Sequence, residues 1–232
     1  SDVYKRQDST RKKGQTFEIL QRFGRREIDI IVGTQMVTKG YDFPDVTLVG
    51  VIAADSSLGF PDFRAGERTF QILSQVAGRA GRGDKGGRVV VQTFNPAHYA
   101  IITARDHDFL TFYHKEQELR AQLGYPPFSY LAGLRLQGNV KGNTEEITRE
   151  VGRGMVRIIE GWPKKGRDIQ LLGPVEAPLS KLKGKYRWQI LVKSKGAGLL
   201  HYYLGEVRQM ASGILRSAGV AMVIDVDPYH ML

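Results

Sequence analysis

The tetrapeptide Gly124-Tyr125-Pro126-Pro127 separates two stretches of this 232-residue chain whose periodicities demand different folds. Proline offers neither the dihedral freedom nor the N–H that a helix needs to continue. The amphipathic run from Asp106, with Phe109, Phe112, Glu116, Leu119 and Leu123 along one stripe, must therefore stop there. Before the break, helices alternate with short apolar strands. Phe17, Leu20 and Phe23 recur at helical spacing, residues 28–32 form a compact apolar run, and residues 47–53 (TLVGVIA) read as a strand covered on both faces. A helix over about 64–80, a strand at 88–92 and a helix from Pro96 towards Ala104 complete the order. That alternation predicts an α/β unit, a parallel sheet with flanking helices.

After the break the order is strand, helix, strand, strand, helix, strand. Residues 129–136 form the first strand, and Asn143 with Glu146 three positions on forms a capping box for the helix that follows. Gly161 and Pro163 stop that helix. Strands follow near 169–172 and 186–193. A helix then carries Leu200, Tyr203, Val207, Ala211 and Ile214 on one face, and residues 220–227 close the set. This order predicts a small ferredoxin-like α+β domain. The expected boundaries are a lobe over 8–104, a linker helix and Pro-rich turn over 105–127, and the α+β domain over 128–232. Residues 1–7 (SDVYKRQ) enter a helical pattern without cap or turn, and are set aside as a non-native or unstructured leader.

Charge distinguishes the two stretches. The net charge is +10, and residues 1–123 hold 18 Lys and Arg against 15 Asp and Glu, whereas residues 124–232 hold 16 against 9. The second stretch is thus the stronger candidate for a polyanion partner, the alternative being a solvated basic surface. No apolar run reaches the roughly 20 residues needed to span a bilayer, and no secretory leader is recognisable. Cysteine is absent, which removes disulfides and thiolate metal sites from this stretch. The five histidines (His98, His107, His114, His201, His230) show no ligand spacing, so no metal site is expected.

Three segments carry chemistry. In residues 75–82 (QVAGRAGR), helical geometry puts Gln75, Arg79 and Arg82 at i, i+4 and i+7, on one side. Gly78 and Gly81 lie between them, although each glycine costs a helix roughly 1 kcal/mol against alanine. Two guanidinia and an amide on a glycine-flanked face suit phosphate oxygens. In residues 33–43 (GTQMVTKGYDF), directly after an apolar strand, Thr34, Gln35 and Lys39 can hold a nucleic-acid backbone. Gly40 lets the chain turn there, and Asp42 can reach a sugar hydroxyl or fix a loop; a plain strand-to-helix connection explains the segment equally well. Lys181, Lys183, Lys185 and Arg187 alternate with Leu182, Gly184, Tyr186 and Trp188, which predicts a row of cations on one face of a strand or hairpin, either contacting DNA or merely solvated.

The first two segments resemble motifs V and VI of superfamily-two helicases, in which two RecA-like lobes close on ATP. ADSSL at 54–58, PDFRA at 61–65, ERTFQ at 67–71, QTFNP at 92–96, YPPFSY at 125–130, YRWQ at 186–189 and DVDP at 225–228 narrow the resemblance to the PriA family of primosomal replication-restart helicases, over about residue 8 to the end. The resemblance implies a RecA-like second lobe, with Arg82 as arginine finger and Arg79 beside it facing the γ-phosphate. It implies that Gln75, Gly40 and Asp42 face the nucleotide, and Thr34 a phosphate of the tracking strand. It further implies a 3′-to-5′ DNA helicase acting at stalled forks in a bacterial, nucleoid-associated, cytoplasmic setting. The implied partners are forked or single-stranded DNA, primosome proteins and the single-stranded DNA-binding protein. ATP with Mg²⁺ would be bound mainly by a first lobe whose glycine-lysine phosphate loop does not occur in this sequence, and Zn²⁺ by cysteines of the longer protein. Residues 196–200 (GAGLL) depart from the basic and amide side chains of the family at the single-stranded DNA-binding protein contact, so no residue is assigned to it. The alternatives are a non-catalytic DNA-binding fragment and another superfamily-two DNA translocase.

Overall fold

The computed structural model describes residues 3–5, 15–33, 45–78, 86–162 and 164–231. The chain divides into two compact units, Ser1–Gly59 with Arg64–Tyr113, and Phe60–Phe63 with His114–Leu232.

The first unit is α/β. Its elements are β1 (Val3–Lys5), α1 (Gln15–Gly24), β2 (Ile30–Val32), β3 (Leu48–Val51), α2 (Ala65–Ala77), β4 (Arg88–Val91), α3 (Tyr99–Arg105) and the start of α4 (Phe109–Leu123). β1 pairs with β2 and β3 with β4, both in parallel, so Val3–Lys5 is a paired strand and not part of an unstructured leader. Parallel pairing is what strand–helix alternation requires, because the crossover helix returns the chain to the same end of the sheet. α2 buries Ala65, Gly66, Thr69, Phe70, Leu73 and Val76, a stripe of helical period. Phe70 stacks on Phe112 with ring centroids 4.1 Å apart, over a core of Ala54, Leu73, Ala100, Ile101 and Ala104.

β3 is not covered on both faces as its apolar composition predicts. Val51 packs against the α2–α3 core, whereas Leu48 is 61% exposed and Ile52, just past the strand, 79%. Among the described residues, α2 and α3 pack on the Val51 and Val91 side. α3 starts at Tyr99, not Pro96, and is capped by His98, whose Nδ1 accepts the Ala100 amide at 3.2 Å.

The second unit comprises the rest of α4, then β5 (Tyr130–Gly138), α5 (Lys141–Glu160), β6 (Ile169–Leu182), β7 (Lys185–Ser194), α6 (Ala197–Ala218) and β8 (Ala221–Val226). α4 ends at Leu123, with Gly124 at φ 61, as the Gly-Tyr-Pro-Pro break requires. The four strands form one antiparallel sheet in the order β6-β7-β5-β8. This is the ferredoxin-like arrangement, with α5 and α6 on one face. Ala132, Leu134 and Leu136 of β5, Ile190 and Val192 of β7, Val151 and Met155 of α5, and Tyr203 and Val207 of α6 make its core.

Asn143 does not cap α5. The helix begins at Lys141, and Asn143 instead donates from its amide to the Ala218 carbonyl at the end of α6, at 3.1 Å. A tertiary acceptor at the C-terminus of a neighbouring helix, where carbonyls lack partners, wins over the local box. On the sheet face away from the helices, the α4 terminus is held by Lys193. Its ammonium donates to the Leu123 carbonyl at 2.8 Å and stands 3.5 Å from the Tyr125 ring centroid. Burial pushes its pKa down from the usual lysine value.

Candidate nucleotide and nucleic-acid sites

The carboxyl ends of parallel strands are where α/β sheets gather ligands. In the first unit that end is braced by Asp55, just past β3. Its carboxylate accepts the Phe94 amide at 2.8 Å and the Thr93 hydroxyl at 2.7 Å, tying the exit of β3 to that of β4. The Phe94 amide first, then the Thr93 hydroxyl, hold the Asp55 carboxyl below its usual pKa. Sequence reasoning did not single out Asp55; an acid directly after an apolar strand is the signal.

α2 presents the start of the glycine-arginine segment. Its apolar stripe ends at Val76, and Gln75 is exposed on the other side. Gly78 follows as C-cap, its N–H bonded to the Ser74 carbonyl at 3.1 Å. A Cβ on Gly78 would meet only the Ser74 and Gln75 carbonyl oxygens, at 3.6 and 3.8 Å, which is ordinary contact. Among the described residues, packing therefore does not require this glycine. Arg79 and Arg82 lie outside the described residues, as do Thr34, Gln35, Lys39, Gly40 and Asp42.

The row of four cations on one face is a correction. Lys183 and Gly184, at φ 50 and 81, form the two-residue turn between β6 and β7. Positive φ at both turn positions is the geometry that matches the twist of a hairpin. Lys181 pairs with Tyr186, and Leu182 with Lys185, and directly paired residues share a face. Lys181 therefore lies on the face of Tyr186 and Trp188, its ammonium 3.3 Å from the Tyr186 hydroxyl, which it can donate to, and 4.8 Å from the ring centroid. Lys185 and Arg187 lie on the opposite face. Lys181, Lys183 and Lys185 are exposed, so the result is a basic fingertip rather than a basic face.

Arg187 is a different case. It is 4% exposed, and its guanidinium donates to the Leu179 carbonyl at 3.4 Å. Burial, and after it the nearby Arg135 guanidinium, push its pKa below the usual arginine value. The register sets Arg135 opposite Gln189 and Gln137 opposite Arg187, all on the sheet face away from α5 and α6. Arg135, Gln137 and Gln189 are half-buried there and suit phosphate oxygens, whereas the covered Arg187 braces the patch. Arg135 and Gln137 were missed from sequence because they sit between core residues Leu134 and Leu136; the alternation itself is the signal.

Replacing Lys181, Lys183 and Lys185 together by alanine should flatten the log–log salt dependence of single-strand binding by about 2, at roughly 0.7 per phosphate contact. An unchanged slope in anisotropy titrations would remove the fingertip from the interface.

Among the described residues no group of three His, Cys, Asp or Glu is placed to hold a metal ion, and no helix is long and apolar enough to cross a membrane.

Comparison with known proteins covers both units. The helicase conserved C-terminal domain family matches residues 3–84, and the primosomal protein N C-terminal domain family matches residues 121–229. The replication restart protein PriA of Bacillus subtilis (strain 168) is 38% identical over 225 residues, 97% of this chain and 27% of that protein. The protein of the same name from Synechocystis is 40% identical over 221 residues, 95% of this chain and 25% of the relative. That from Rickettsia felis is 42% identical over 213 residues, 91% and 31%. The chain thus spans about a quarter to a third of the length of these relatives.

Proposed function

The chain belongs to the PriA family, and from that premise we propose that it forms the second motor lobe and C-terminal domain of an ATP-dependent 3′-to-5′ DNA helicase that restarts replication at stalled forks. The observation that carries this is the end of α2. Gln75 is exposed opposite a buried apolar stripe, and Gly78 caps the helix where no packing among the described residues demands glycine. Those residues fit one edge of a nucleotide site. Arg79 and Arg82 extend it in sequence, presenting guanidinia to a γ-phosphate, while Gly40 and Asp42 face the nucleotide from the other segment. Bound ATP, with Mg²⁺, supplies the phosphoryl transfer that drives movement along DNA.

Thr34, Gln35 and Lys39 contact the backbone of the tracked strand in this reading. The fingertip lysines and the Arg135–Arg187 patch extend DNA contact into the second unit. Forked or single-stranded DNA is the substrate, and primosome proteins and the single-stranded DNA-binding protein are the partners of the whole protein. Zn²⁺ belongs to the longer protein, and the setting is the bacterial cytoplasm, at the nucleoid.

No glycine-lysine phosphate loop and no paired Walker B carboxylates occur in this sequence, so this polypeptide should bind DNA without hydrolysing ATP. Phosphate release by the purified chain should stay at background with saturating single-stranded DNA, whereas the full-length protein turns over. DNA-stimulated release from the chain alone would refute the division of labour between lobes.

A further inference from the structure

The outer surface of α5 and the turn that follows it carry a run of exposed cations, most of which pair with no acid among the described residues. Arg149, Arg153 and Arg157 recur at i, i+4 and i+8 and are exposed. Like charges at that spacing destabilise a helix, so the arrangement has a cost within the chain. Arg149 is relieved by Glu145, at 2.9 Å. Among the described residues Arg153 and Arg157 form no ion pair, although Glu150 and Glu160 lie within one turn of them. Lys164, Lys165 and Arg167 continue the charge past the helix end and are exposed.

This stripe ends at an aromatic pair. Trp162 and Tyr202 stack with centroids 5.2 Å apart and planes at 28°. Trp162 is braced from behind by the edge of the buried Tyr203 ring, at 5.8 Å, while Tyr202 is 56% exposed. Trp162, Tyr202, Lys164 and Lys165 line one shallow hollow, and Arg153, Val156 and Arg157 line another. A held aromatic surface beside unneutralised cations offers both things a single strand presents, a π-face and phosphates. An acidic protein segment satisfies the cations but leaves the open aromatic surface unused.

We propose that this surface, on the helix side of the sheet and separate from the Arg135–Arg187 patch, is a second contact for single-stranded nucleic acid. Arg153, Arg157, Lys164 and Lys165 hold phosphates, and one base stacks on the Trp162–Tyr202 pair. The proposal takes from the helicase reading only the class of its ligand; it says where a strand lies outside the motor lobe.

The test uses the 232-residue chain, a labelled dT 20-mer, and an abasic 20-mer that keeps the phosphates and lacks the bases. Arg153→Ala with Arg157→Ala should flatten the log–log salt slope for dT by about 1.4, two phosphate contacts at roughly 0.7 each. Tyr202→Ala should weaken dT binding by roughly tenfold and leave the abasic strand unaffected, as loss of one base stack requires. In a Trp188→Phe background Trp162 is the one remaining tryptophan, and dT should quench its emission. An unchanged salt slope overturns the phosphate contact. Equal effects of Tyr202→Ala on both strands, or unquenched Trp162, overturn the stacking. Each leaves the helicase reading standing, since that reading is tested by Arg82 in the full-length protein.

Discussion

Arg82→Ala in the full-length protein should lower DNA-stimulated ATP turnover by about 10³- to 10⁵-fold, the loss seen when an arginine finger is removed. At 1.36 kcal/mol per decade that is about 4–7 kcal/mol of transition-state stabilisation. The size follows from chemistry: charge spreads over the γ-phosphoryl oxygens as the bond breaks, and a planar guanidinium meets them with two parallel N–H donors. Lysine keeps the charge and loses the fork, so Arg82→Lys should recover little. Single-strand affinity should stay within about twofold, because an interaction made only in the transition state contributes nothing to ground-state binding of another ligand. Equilibrium DNA titration beside steady-state phosphate release separates the two. Parallel loss of DNA affinity and turnover would place Arg82 on the DNA and sink the assignment.

That the end of α2 was legible in sequence has a physical cause. Glycines inside a helical run contradict helix propensity, and such local contradictions mark functional positions. Gly78 closes α2 as its C-cap, and among the described residues an added Cβ there would meet only the Ser74 and Gln75 carbonyl oxygens. The cation row failed for an equally local reason. A turn of two residues leaves the period-two alternation unbroken in sequence while reversing the chain, and Lys-Gly is a weaker turn signal than Asn-Gly. Arg135 and Gln137 were hidden because a strand covered on one face shows the same alternation whether its other face is solvated or binds a ligand.

The order of the second unit's elements was readable because its helices are long and periodic, although β6 runs on to Leu182, well past the strand expected at 169–172. What escaped were matters settled by distant partners. Asn143 carries a capping-box pattern but bonds a carbonyl 75 residues away. Asp62 accepts the Met231 amide at 3.3 Å across 169 positions, and Phe63 stacks on Tyr125 at 4.9 Å, so Phe60–Phe63 belongs with the second unit although the chain on either side of it belongs with the first. No local pattern foretells that. The coverage of β3 likewise depends on what packs over it, which its apolar composition does not encode.

Tyr203 offers the largest expected effect on stability. It is fully buried in the core of the second unit, between β5, β7 and α5, and its hydroxyl donates to the Met155 carbonyl of α5 at 2.9 Å. Tyr203→Ala empties a ring-sized volume, strands Trp162 without its brace, and should cost about 3–5 kcal/mol, the range for buried aromatic-to-alanine changes. Tyr203→Phe keeps the ring and loses one hydrogen bond. The Met155 carbonyl keeps its place in the helix ladder, so the cost should be about 0.5–1.5 kcal/mol. The phenol also gives a signature in pH. Burial pushes its pKa up, so the unfolded phenol ionises first as pH rises past about 10. Its contribution is therefore complete below that pH and declines above it, and Tyr203→Phe should lose that part of the alkaline fall. Both tryptophans lie in this unit, so urea titration followed by their emission reports its unfolding. A Tyr203→Ala midpoint shift equivalent to less than about 1 kcal/mol at unchanged m would show that this ring does not hold α5 and α6 on the sheet.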